Sequence, residues 1–523
     1  MRYQINKSFR SKCFLAIVAV GSMLAVSSCN KKLDIESSSI VSQNNAWKTL
    51  EDARSGVMGM YALLRTAVAN NNAYWHWGEF RSGLFTPLNS PDLSAVVNNE
   101  LTANYSVIES ASNWTKFYAA INACNVVIEN IGKCRTDMRY TDDYYRLDVS
   151  QAKAVRAFAY FLMARVWGDV PLITTSGEGK DFPEVAQSQK EVVLNFAKTE
   201  LLSVAEDLPY LYSGTDLENK FPATYYGFGA GTWLNAPITR IGAYAILSHI
   251  AAWEGNYDEA IVYSGVVVNN VGKGNITAVE TEDMVSSSGL FLSGNSNYRQ
   301  IVGFPFGKMT GETTIDGHIE NYTLANTPDF PMSKRLPNLY IPRDTILKMF
   351  NEPTDERFGT NFNVQPVVFR KSYFENFNGE IPVFKKIRVI DAGSTSTNGD
   401  FVVYNSSIIF TRLEEIRLLR AEAFAALNNL TDAAQLLNLV RASRNLGGID
   451  YTSREQLLRS IFLERDRELM GEGWHWFDLV RRTKLLNDNP QIASFINSGA
   501  IYWPISKSVL LKNKKLVQNN YWK

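Results

Sequence analysis

Between Gln151 and Trp167 the apolar residues Val155, Phe158, Leu162 and Val166 recur every three or four positions, and the run closes on Gly168-Asp169-Val170-Pro171. That spacing draws one continuous stripe down an α-helix, whereas on a strand it would scatter over both faces. Glycine and proline then supply a stop, one by taking up left-handed backbone and the other by lacking the amide proton the ladder needs. The same period appears in Trp47, Leu50, Val57, Tyr61 and Leu64, and in Trp114, Phe117, Ile121, Asn125, Ile128 and Ile131. Ser188 with Glu191, and Thr452 with Glu455, have capping-box spacing ahead of apolar-periodic runs and predict helix starts. The chain is expected to be mainly α.

Two segments can be laid over one another. Ala245–Ala260 and Leu418–Ala433 each carry a helix rich in small residues, then a turn at Gly255-Asn256 or Asn428-Asn429, then a large apolar residue and an acid-Ala pair. Alanines let helices approach closely and the turn residues reverse the chain, as in a tetratricopeptide helix pair. Only two copies are visible, so the expected fold is a tetratricopeptide-like helical scaffold (an α/α superhelix) without a regular array. The scaffold is assigned to about 46–210, 237–270 and 411–523. A loop-rich part, rich in Gly, Asn, Ser, Thr and aromatics, covers about 211–236 and 271–410. Loops this long in a compact protein are commonly functional. Pro366-Val367-Val368-Phe369 and Phe401-Val402-Val403-Tyr404 predict short strands within it. A length of 523 residues alone would suggest several domains. No convincing linker interrupts 46–523, which is read as a single globular unit.

The 53 basic and 53 acidic residues cancel, which argues against a nucleic-acid protein. The balance is misleading, because Arg2, Lys7, Arg10 and Lys12 precede an apolar stretch from Cys13 to Val26. About 14 apolar or small residues after a basic start describe a signal peptide and fall short of a membrane-spanning helix. The stretch ends in Val26-Ser27-Ser28-Cys29, which resembles a bacterial lipobox. Small residues there admit a peptidase, and the thiol of Cys29 is the nucleophile that accepts the diacylglycerol. Residues 1–28 are thus expected to be removed and 29–45 to form a lipidated flexible tether. Without its basic leader the body is mildly acidic. No later segment is long and apolar enough to span a membrane.

Catalytic motifs are scarce. None of His76, His249, His318 and His475 has metal-ligand spacing, and Cys124 and Cys134 lack a second pair. Gly227-Phe228-Gly229-Ala230-Gly231 does not match a phosphate-binding loop. Glu464, Glu468 and Glu472 share one helical face, and Arg465, Arg467, Arg481 and Arg482 are close enough in sequence to neutralise them, so a structural ion-pair network is expected. Cys124 and Cys134 are read as two buried free thiols. No cofactor, metal site or catalytic residue is expected.

The segment Glu464-Arg-Asp-Arg-Glu-Leu-Met-Gly-Glu-Gly-Trp-His-Trp-Phe-Asp-Leu-Val-Arg481 resembles the signature of the SusD/RagB family of outer-membrane nutrient-uptake lipoproteins. Glu79-Phe80-Arg81-Ser82, Trp114-x-x-x-Tyr118-x-x-Ile121-x-x-x-Asn125, Ala154–Phe161 leading to Gly168–Leu172, Arg420–Ala423 and Ile501-Tyr-Trp-Pro-Ile505 are similar to further family motifs and follow the family order. Three positions depart: Gly83 replaces a usual aspartate, His475 a common arginine, and Ser506 a frequent second proline. The resemblance implies a lipid-anchored protein of the outer membrane of a Gram-negative bacterium, facing the cell exterior. It implies capture of a nutrient, often an oligosaccharide, delivery to a SusC-like TonB-dependent β-barrel transporter, and no catalysis. Trp474, Trp476 and Phe477 are read as packing residues of the signature.

Sugars present flat apolar faces ringed by hydroxyls, so a binder needs exposed aromatic platforms with polar neighbours. Trp75-His76-Trp77 with Glu79 and Arg81 offers one such cluster, and Tyr225-Tyr226-Gly227-Phe228 with Trp233 and Asn235 another. Trp75, Trp77, Arg81, Tyr226 and Trp233 are the expected ligand-binding residues. Peptide cargo within the same family role, and a surface glycosidase, are the alternatives.

Overall fold

A computed structural model describes residues 46–177, 184–215, 221–234, 236–293, 297–306, 316–328, 331–358, 360–361, 368–369, 373–390 and 404–523. The expected signal peptide (1–28), Cys29 and the expected tether lie outside the described residues, as do Asn235, Pro366, Val367 and Phe401–Val403.

The fold is mostly helical. Helix α1 (Leu50–Ala69) opens on a complete capping box, in which the Thr49 hydroxyl accepts the Asp52 N–H at 3.1 Å and the Asp52 carboxylate accepts the Thr49 N–H at 2.9 Å. A short helix, α2 (Ala73–Gly78), follows after a turn at Asn70–Asn72. Helices α3 (Thr115–Asn130) and α4 (Asp142–Trp167) pack with α1 around a common core. The periodic stripe expected on α4 is only part of what it buries: from Ala154 to Trp167 every residue is buried. The reason is its central position, with α1, α3, α5 (Lys190–Leu202) and α6 (Arg240–Glu254) all against it. A helix enclosed on all sides has no solvent face to keep polar. It ends where the sequence indicated, at Gly168, whose φ of 76° lies in the region glycine tolerates.

The two predicted helix hairpins are present. Helix α6 turns through Gly255 (φ 82°) into α7 (Tyr257–Asn269), whose first turn is capped by Asn256, and α8 (Leu413–Ala426) turns through Asn428 (φ 64°) into α9 (Leu430–Ala442), capped by Asn429. The seam between the hairpins is built from Ala251, Ala252, Ala260, Leu419 and Ala423, small enough for the backbones to approach. Helix α10 (Arg454–Glu468) packs beneath the second hairpin through Leu418, Leu437, Leu458 and Ile461. Two further helices, α11 (His475–Leu486) and α12 (Pro490–Ser498), complete the scaffold.

Both capping expectations need correction. Helix α5 begins after Gln189 with no side-chain cap, and Ser188 instead donates its N–H to the Val170 carbonyl at 3.0 Å. Helix α10 is capped one residue later than expected, by Ser453 with Gln456, because Thr452 is drawn back onto the Gln456 amide oxygen. The antiparallel pair β1 (Gln300–Phe304) and β2 (Ile408–Arg412) is the longest strand pairing among the described residues. Val368-Phe369 pairs with Thr360-Asn361, and Tyr404 makes a single bridge to Ile390.

Cys124 and Cys134 are buried and unpaired with each other. The signature carboxylates do form a buried ionic network, but their partners come from afar. Glu468 receives Arg357, Arg412 and Arg444, while Glu472 receives Arg412 and Lys386. Glu464 meets Arg357 and Arg441, with Arg467 at 3.6 Å. Arg465 and Arg481, expected to serve these glutamates, instead clasp Asp478 and reach Glu415 and Glu422 respectively, and Arg482 pairs with Asp488. Burial raises the proton affinity of Glu468, but three guanidinium groups more than offset it and hold the carboxyl well below its usual range.

Candidate ligand-binding face

Trp75, Trp77 and Arg81 do not face solvent. Trp75 is 2% exposed and Trp77 4%, with the Trp77 indole N–H donating to the Ala111 carbonyl at 2.9 Å and its ring packed on Phe117 and Trp167. Arg81 is fully buried, stacked on the Trp476 ring at 3.8 Å, and donates to Asn99 Oδ1 and to the Ile501 and Ala500 carbonyls at 2.7 and 2.8 Å. With no carboxylate facing it among the described residues, desolvation pulls its pKa well below the ordinary arginine value. The expectation that these three form an exposed platform is corrected. A short helix pressed against the C-terminal signature leaves their side chains nowhere else to go.

Tyr226 and Trp233 are likewise enclosed. The Tyr226 hydroxyl donates to Asp148 Oδ2 at 2.6 Å, beside the Tyr140 hydroxyl at 2.8 Å, and Tyr225 donates to the other carboxylate oxygen. The Trp233 indole N–H donates to the Tyr225 carbonyl at 3.1 Å. Burial pushes Asp148 up to about 6 despite the three phenols, because no cation among the described residues stands opposite. This glycine-rich loop is latched to α4, with Tyr225, Tyr226 and Trp233 buried and Phe228 half-buried. The two predicted clusters remain separate, one around Trp167 and the other around Asp148.

Polar side chains gather at the surface just ahead of the first cluster. Asn71 and Asn72, following α1, take left-handed backbone (φ 48° and 58°), which asparagine accepts more readily than most residues. This brings three segments together. Asn70 and Asn71 both donate to the Ser110 hydroxyl, at 2.8 and 2.7 Å, on the short helix Ser106–Ala111. The Asn71 N–H donates to Asp316, and Asn72 Oδ1 accepts the Gly317 and His318 N–H groups at 2.6 and 3.1 Å. Tyr322, half-buried, accepts from Asn72 at 3.2 Å and packs edge-on against His76 and Phe80. Tyr105, at the start of the short helix, is exposed. Burial drops the His76 pKa to about 3, so the imidazole beneath Tyr322 is neutral. The face is an array of amides, hydroxyls and phenols held in fixed directions. It can donate to and accept from a polyhydroxylated ligand. The mark this face leaves in the sequence is the run Asn70-Asn71-Asn72, directly ahead of the larger aromatics Trp75 and Trp77.

Among the described residues, no group of three or more His, Cys, Asp or Glu side chains is placed to hold a metal, and no helix is long and apolar enough to cross a membrane.

Residues 370–522 match the family model described as the SusD family, and residues 55–198 match one described as starch-binding associating with outer membrane. A crystal structure of a SusD superfamily protein from Bacteroides thetaiotaomicron is 41% identical, spans 91% of this chain and 99% of its own, and superposes with a TM-score of 0.81. The chain belongs to the SusD family. SusD-like protein P38 of Formosa agariphila is 25% identical across 97% of both chains. The structure of a laminarin binding SusD-like protein shares the fold, at 19% identity, 91% and 100% coverage and a TM-score of 0.65. SusD-like proteins are binding proteins, not enzymes, and the glutamates of the signature accordingly read as scaffold. Their oxygens are occupied by arginine and lysine, and Trp474, Trp476 and Phe477 are buried as packing residues.

Proposed function

We propose that this SusD-like protein is a cell-surface lipoprotein, anchored through Cys29, that captures a glycan and delivers it to a SusC-like TonB-dependent transporter. The observation that carries the reading is the match of residues 55–198 to the family model described as starch-binding associating with outer membrane, a span that contains Asn70, Asn71, Tyr105 and Ser110. The laminarin binding named for a structural neighbour agrees with a glycan as cargo. The lipobox Val26-Ser27-Ser28-Cys29 supports anchoring by acyl chains. The polar array around Asn71 and Ser110 is the proposed contact face, with Tyr105 as the exposed ring against which a sugar can stack.

Calorimetry of the lipid-free protein against laminarin, starch, xylan and a peptide mixture tests the cargo. Glycan binding lost in Asn71→Ala and Tyr105→Ala, but kept in Trp75→Phe, is the expected result. Binding of peptides alone would replace the glycan reading. Gentle detergent extraction of cells that produce the protein should bring down a large β-barrel partner, and recovery without one would count against the transporter role.

A further inference from the structure

A second concavity lies on the scaffold and shares no residue with the array around Asn71. It is a groove of about 370 Å³ between the end of α4, the loop after α12 and the C-terminal tail. The indoles of Trp167 and Trp503 line it, both nearly fully buried, and no acceptor among the described residues meets either indole N–H. Both indole nitrogens lie out of solvent's reach, so these two rings form the packed base beneath the groove and not its open surface. The Tyr502 ring, half-buried, packs directly on Gly168, where a Cβ would meet it at 3.3 Å.

The walls are fixed. The Gln518 amide both accepts from and donates to the Ile505 backbone, at 3.0 and 2.9 Å, and the Asn519 amide donates to the Gly499 carbonyl at 2.8 Å. Val517 N–H donates to Gln187 at 2.9 Å, tying the tail to the strap before α5. The groove runs on through Ser498 into an open depression along α12 lined by Asn487, Ser494 and Asn497. Charge is sparse: Asp169 is exposed, and Lys190 is paired with Glu191 at 2.7 Å. Amides, hydroxyls, the Asp169 carboxylate and the partly exposed Tyr502 ring suit hydroxyl groups and a sugar face, and a net-neutral lining does not favour a polyanion.

We propose that this channel is a second binding subsite, for a neutral oligosaccharide long enough to run from Tyr502 past Ser498. The inference rests on the glycan reading above and adds a site to it. Asp169 accepts a sugar hydroxyl, Tyr502 stacks on a ring, and the chain of the ligand continues over α12.

The test is calorimetry with laminarihexaose, maltohexaose and xylohexaose on the wild type, Ser498→Trp and Asp169→Asn, with melting curves to verify folding. Ser498 is the residue that lines both the groove and the depression, so S498W fills the channel where the two meet, and D169N keeps the oxygen that accepts the Lys190 N–H at 2.8 Å. The expected result is a wild type that binds more than one glycan per chain, with S498W losing the second site and D169N weakening it about tenfold, near the value of one good hydrogen bond. Single-site binding, unchanged in both variants and abolished by Asn71→Ala, would overturn the subsite and leave glycan capture standing. No binding by any of the three proteins would overturn both.

Discussion

The carboxylate of Glu79 accepts the backbone N–H of Gly473 at 2.8 Å, and its second oxygen accepts that of Gly471 at 2.7 Å. One side chain near the N-terminus thus closes two amides of the C-terminal signature, both on glycines with left-handed backbone (φ 79° and 82°). The contact is close enough that a Cβ on the neighbouring Gly78 would lie 2.0 Å from the Gly473 carbonyl oxygen. The motif Glu79-Phe80-Arg81 and the signature are therefore two halves of one joint.

Gly78→Ala should be among the most damaging single changes in the chain. The obstruction is backbone, which cannot swing aside, and the cost is expected at or above the ~1–3 kcal/mol of ordinary overpacking. Differential scanning calorimetry on the purified variant checks it; a melting temperature within a degree or two of wild type would show that the joint opens freely.

Arg81 holds two carbonyls, one amide and an indole face at once. Arg81→Lys keeps charge but loses the planar fork and the stacking, for an expected loss of about 2 kcal/mol. Arg81→Ala should cost about 3–5 kcal/mol from the cavity and the unpaired acceptors. Urea unfolding measures both. Glycan affinity of the folded Arg81→Lys protein should equal that of wild type, since the side chain is a clamp and not a contact.

Glu468→Gln removes the anion that faces Arg357, Arg412 and Arg444. Uncompensated buried charge predicts a loss of about 3–5 kcal/mol. Because Glu468 has its folded pKa depressed, its contribution is present above the ordinary value of 4.5 and is lost as the pH falls through the lower folded pKa. Acid unfolding followed by circular dichroism should accordingly lose one of its steepest components in the variant.

Asp148 has the opposite sign. Between its ordinary value of 3.8 and about 6 the folded chain holds the proton more tightly than the unfolded chain, so this residue makes stability fall as pH rises through that window. Burial pushes Glu79 and Glu320 up to about 7 and extends the decline. Asp148→Asn should flatten the pH 4–6 part of the stability profile, because the amide has no proton to lose while its oxygen can still accept from the phenols. An unchanged slope in the variant would falsify the assignment.

Sequence spacing by itself determined the helices, their Gly and Asn turns and the paired hairpins, since a 3.6-residue period and left-handed turn residues act over a few neighbouring positions. The order of short motifs likewise determined the family. The tertiary structure decided burial and partnership. Trp75 and Trp77 look like display residues until α2 is pressed against Ala111, Phe117 and Trp167. Arg81 reads as a ligand contact until Ile501 and Ala500 arrive from the far end of the chain. The glutamates of the signature have arginines beside them in sequence, yet Arg357, Arg412 and Arg444 reach Glu468 instead, because side chains next to each other on a helix point to different faces. Contacts across hundreds of residues depend on how whole helices pack, and local spacing carries no record of that.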